Sequence, residues 1–75
     1  MKRAGEVVRC AQGLAVARCA GEDHPGMGAV VVDERLDDAG RVVDVFGPVE
    51  RPYLAVTPPE GVRPTALLGR KLYVR

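Results

Sequence analysis

Arg41-Val42-Val43-Asp44-Val45-Phe46-Gly47-Pro48-Val49-Glu50-Arg51-Pro52-Tyr53-Leu54-Ala55-Val56 is the stretch whose pattern decides the fold. On both sides of Gly47-Pro48 apolar residues recur at close to every second position, the period of a strand and not of a helix. Gly47 gives the backbone freedom and Pro48 removes it, so the chain reverses sharply at a pre-ordered turn. Pro52 has no amide hydrogen and restricts the residue before it, which keeps Glu50 and Arg51 out of a ladder. The two runs, 41–46 and 53–57, therefore meet at a stiff corner that displays Phe46, Pro48, Val49 and Tyr53.

Outward from this corner the rest of the chain has the same texture. Valine- and alanine-rich runs lie at 6–11, 14–19, 29–33 and 71–74, separated by glycines and prolines too closely spaced for stable helices. Gln12-Gly13 links the first two runs as a tight hairpin. A glycine-rich loop spans Gly21 to Gly28, Pro58-Pro59 ends the fifth run, and Thr65–Leu68 has room for one helical turn. Six strands with no helix to cover a sheet face predict an all-β domain over residues 1–75. Either a small six-stranded β-barrel or two short packed sheets would bury its apolar surface, and closure has the advantage of removing exposed edges. The expected inward face is Val8, Leu14, Val16, Val30, Val32, Val43, Val45, Leu54, Val56, Leu72 and Val74. Val42, Phe46, Val49 and Tyr53 are then left over, and a cluster of exposed large apolar groups marks an interaction site.

Composition removes several function classes. The chain has 75 residues, and a domain of this size buries only about 60% of its extended surface on folding, so a partner is expected. It contains no Ser and one His, which leaves no serine nucleophile and no basis for a zinc site; neither metal nor cofactor is expected. Cys10 and Cys19 are too few for a disulfide scaffold and lack the spacing of a redox pair, so both are expected reduced and buried. No run is long enough to span a membrane and none resembles a signal peptide, which predicts a cytoplasmic protein. The net charge of +1 conceals three blocks: +3 over residues 1–21, −6 over 22–50 and +4 over 51–75. No overall field draws nucleic acid or an anionic membrane. Nothing in the spacing supplies an acid–base pair on a cleft, so no enzyme is expected.

Rigid apolar and aromatic groups at a turn suit a protein interface, because little entropy is lost on docking. The competing reading is a hairpin turn whose Tyr and Phe plug one end of the barrel. Gly40-Arg41-Val42, Asp44-Val45-Phe46-Gly47-Pro48-Val49, Pro52-Tyr53-Leu54-Ala55-Val56 and the closing Leu68-Gly69-Arg70-Lys71-Leu72-Tyr73-Val74 give the chain, from Gly5 to Arg75, a close resemblance to the Gar family. That family is the small barrel subunit of box H/ACA ribonucleoproteins, here in its archaeal form.

The resemblance implies a six-stranded barrel of the reductase/isomerase/elongation-factor type and membership in an RNA-guided machine that makes pseudouridine in rRNA. The family's barrel is not the catalyst. It docks on the catalytic domain of the synthase subunit, influences a mobile loop there, and biases substrate RNA loading and release, with guide and substrate RNA met mainly indirectly. Eukaryotic members carry glycine-arginine-rich tails, and their absence from this sequence fits an archaeal member. Residues and resemblance converge on Val42, Phe46, Gly47, Pro48, Val49, Pro52 and Tyr53 as the partner-binding surface of a barrel that is otherwise monomeric. Arg70, Lys71 and Arg75 are candidates for contact with RNA or with an acidic partner, and direct RNA binding through such residues is the alternative function. Asp33–Gly40 departs from the calcium-loop order, with Arg35 at a ligand position, and reads as a solvated acidic loop. His24-Pro25-Gly26 reads as an exposed turn.

Overall fold

Gln12 and Gly13 both adopt positive φ, 53° and 78°. This is the two-residue reversal whose twist matches that of the flanking strands, and it folds β1 (Arg3–Ala11) onto β2 (Leu14–Arg18). The computed structural model describes residues 2–75. Four further strands follow: β3 (Val30–Val32), β4 (Asp38–Phe46), β5 (Tyr53–Thr57) and β6 (Lys71–Val74). A 3-10 turn, η1 (Pro64–Leu67), lies between the last two. All pairings are antiparallel, and the strands close into a barrel in the order β1-β2-β5-β4-β3-β6. Leu67 of η1 is buried against the core, and η1 packs on β1 and β2. No helix among the described residues is long and apolar enough to cross a membrane.

The inward face differs from the one expected on four strands, for two physical reasons. Bulges are the first. The β1–β2 register shifts between Val7 and Arg9, and the β4–β5 register between Val42 and Asp44. An extra residue in one strand reverses the parity of all that follows. Val7 is therefore 2% exposed and Val8 48%, while Val42 is buried and Val43 exposed. Bore is the second reason. Barrel diameter falls with strand number, and six strands enclose a narrow interior. On β2 that interior takes Ala15 and Ala17, whereas Leu14 and Val16 point outward. On β3 size cannot discriminate among three valines, and a register shift against β4 between Val31 and Val32 is the relevant irregularity: the central cluster takes Val31, with Val30 only half-buried and Val32 buried apart from it. Leu54, Val56 and Leu72 are in the core as expected, with Val45 and Val74 packed partly against it.

The acidic segment is more ordered than a solvated loop. Asp33 is buried, and its Oδ1 accepts from the amides of Arg35 (2.9 Å) and Asp37 (3.1 Å). The Leu36 amide donates to the Asp33 carbonyl and the Asp33 amide to the Asp37 carbonyl. Strand β4 already begins at Asp38. This carboxylate organises a turn.

Candidate functional site

The corner between β4 and β5 begins where Gly47 turns with φ of 89°. A side chain there would be strained by that φ and would also meet Tyr53 Cδ2 at 2.8 Å. Glycine thus lets the backbone lie against the tyrosine ring. Pro48 to Arg51 then forms a turn closed by the Arg51 amide donating to the Pro48 carbonyl (3.2 Å). Two further bonds stitch this turn to the end of β2: the Cys19 amide donates to the Pro52 carbonyl (3.0 Å), and Arg51 Nε–H donates to the Cys19 carbonyl (3.0 Å). The corner is held on both sides, and Val49 at its tip is 82% exposed.

Beside it opens a shallow cleft of about 240 Å³, walled by Val45, Phe46, Gly47, Pro48, Val49 and Pro52. Glu22 and His24, from the glycine-rich loop, complete the wall. His24 is exposed, with Nδ1–H donating to the Pro25 carbonyl (2.9 Å), while Pro25 is buried. Phe46 is 38% exposed and stacks on Tyr53, with ring centroids 5.6 Å apart and planes 21° from parallel. Neither ring plugs the barrel: both lie on its outer face, opposed across β4 and β5.

Of the seven expected docking residues, Phe46, Gly47, Pro48 and Val49 are exposed and Tyr53 is half-buried. Val42 does not belong to the surface. It is 1% exposed inside the barrel, because the bulge after it turns its side chain inward. Pro52 is buried too, and its role is to shape the cleft from beneath and to accept the Cys19 amide.

The outer face continues from the corner across the sheet. Glu6 opposes Arg18, Arg18 opposes Tyr53, and Tyr53 opposes Phe46, a row over β1, β2, β5 and β4. The Arg18 guanidinium carbon lies 5.8 Å from the Tyr53 ring centre and that of Arg9 6.0 Å. Arg9 stands on β1 opposite Val16, so its stem crosses β2 to reach the ring. Val16 points outward and yet is only 4% exposed. Arg9 and Arg18 were not among the expected site residues; the signal available was strand parity, which places Arg18 on the outward side with Tyr53.

The three expected basic contacts do not converge on this face. In the barrel order β6 lies diametrically across from β5. Arg70 is half-buried and pairs through Nη1 with Glu34 Oε1 (3.8 Å), and the Lys71 amide donates to Glu34 Oε2 (3.4 Å). Arg75 lines a separate cleft of about 430 Å³ with Arg41, Asp38 and Pro58.

No group of three or more His, Cys, Asp or Glu side chains suited to a metal ion occurs among the described residues. Both cysteines are free thiols, Cys10 half-buried and Cys19 buried. Burial pushes the Cys19 thiol above its ordinary value, the direction of an inert structural cysteine. No family model matches the chain, and no curated protein matches it significantly.

Proposed function

We propose that this protein is a non-catalytic subunit of an archaeal-type H/ACA pseudouridine synthase ribonucleoprotein. It docks on the catalytic domain of the synthase through the β4–β5 corner and modulates the loading and release of substrate RNA. The observation that carries the docking role is a rigid apolar projection, Phe46, Pro48 and Val49, pinned by three hydrogen bonds beside an open cleft. The choice of partner rests on the sequence resemblance.

A standard interface buries ~800 Å² per partner. Against a total surface of 4536 Å² that is roughly a sixth of this protein, an area the corner and its flanking strands can supply. Such a partner acts without contributing a reacting group. If the corner binds one arrangement of a mobile loop on the synthase better than another, that arrangement gains population by the difference in affinity.

Capture of purified synthase subunit on the immobilised barrel, with and without guide RNA, tests this reading. RNA-independent capture is expected. Phe46→Ala removes the exposed aromatic and weakens capture by ~2 kcal/mol, about 30-fold, and Val49→Asp by a similar factor, with folding intact. Omitting the barrel changes multiple-turnover rate while single-turnover chemistry persists. Wild-type capture by both variants, or kinetics indifferent to the barrel, overturns the proposal.

A further inference from the structure

Arg41 on β4 and Lys71 on β6 are exposed and without an ion pair, but among the described residues only Arg9 and Arg18, also exposed, lie over an aromatic ring. Neither has a carboxylate within ion-pair distance among the described residues, and the nearest acid in the row, Glu6, already faces Arg3 (Nη2 to Oε1, 3.7 Å). Both guanidinium groups rest over a single ring, that of Tyr53, which is itself fixed by the Phe46 stack and by the Gly47 backbone. A guanidinium held near an aromatic ring has given up part of its freedom before any ligand arrives, and it presents its donors in a planar fork. Two such forks on neighbouring strands make a pre-organised receptor for anionic oxygens.

Three observations decide what kind of anion. First, the strands close into a ring, so a partner on this outer face meets outward side chains. Second, Phe46 and both guanidinium groups already lie against Tyr53, and a nucleobase could stack there only by displacing one of them. Third, Glu6 and Asp44 stand on the same outward face, and acids interspersed among the bases oppose a polyphosphate strand while allowing discrete carboxylates. Apolar corner, flanking mixed charges and oriented arginines are the anatomy of a protein interface.

We infer that the segment of the partner seated on this protein is acidic, and that Arg9 and Arg18 receive its Asp or Glu carboxylates beside Tyr53. The docking surface then runs from the corner across the outer face of β5 and β2 to β1. This inference rests on the docking role proposed above and specifies the chemistry of the partner at that same surface.

The test compares Arg9→Gln/Arg18→Gln, Arg9→Lys/Arg18→Lys and Val49→Asp in binding titrations with purified synthase subunit at low and high salt. Thermal melts show that each variant folds. The glutamine pair weakens binding at least 30-fold and flattens its salt dependence; the lysine pair, which keeps both charges, recovers most of the affinity. Wild-type affinity for the glutamine pair, with Val49→Asp still impaired, overturns the acidic-segment inference and leaves the docking role standing. Wild-type affinity for both overturns docking as well. A labelled single-stranded RNA oligonucleotide that binds wild type but not the glutamine pair, with synthase binding unchanged, assigns the arginines to phosphate and also overturns the inference.

Discussion

Gly40 illustrates how a single residue sets the barrel's geometry. It sits in β4 with φ of 114°, and a side chain there would come within 1.9 Å of the Thr57 carbonyl oxygen on β5. Neither the dihedral nor the neighbouring backbone can give way cheaply. Gly40→Ala is expected to destabilise the fold by on the order of 3 kcal/mol, read as a lowered denaturant midpoint. Retained stability would mean that β4 and β5 can separate locally without loss. At this scale much of the site was legible: Gly47 and Pro48 declared a rigid turn, and Val49 between prolines declared an exposed tip. Val42 was misplaced because its side chain depends on a bulge that no residue type announces. Arg9 and Arg18 were missed because their partner, Tyr53, lies on a strand distant in sequence.

Strand β1 carries the sharpest test at the scale of an element. Val7 and Val8 are chemically identical neighbours, yet one is in the core and the other in solvent. Val7→Ala removes buried methyl groups and leaves a void, at a cost of ~2 kcal/mol. Val8→Ala stays within ~0.5 kcal/mol. Chemical denaturation of the two variants side by side measures the difference, and equal effects would place the bulge elsewhere. Six strands and the 3-10 turn were readable from period-two runs and from glycine and proline punctuation. Their ends were not. Strand β1 extends back to Arg3 and β4 to Asp38, because those residues find a paired neighbour in the closed sheet even though their own β propensity is weak.

The whole molecule is a ring with one thin seam. Strands β3 and β6 are joined at two paired positions, Val31–Val74 and Val32–Tyr73, whereas β2 and β5 are joined at four. With the fewest paired positions of any neighbouring strands in the ring, this seam is where local opening should begin. Amides of β3 and β6 are expected to exchange with solvent at least tenfold faster than those of β2 and β5 in native-state hydrogen exchange. Uniform protection would show that the barrel opens only as one unit. The seam lies across the barrel from Tyr53, so the proposed docking face belongs to its better-joined half.

Local chemistry was enough to specify strands, turns and a stiff apolar corner, because each depends on backbone preferences and periodicity acting over a few residues. Tertiary structure alone decided which valines are core, since register shifts between strands choose the inward face and a narrow bore favours alanine on β2. It alone also brought Arg9, Arg18, Tyr53 and Phe46 into one row, since cross-strand neighbours are set by register in a closed sheet and not by distance along the chain.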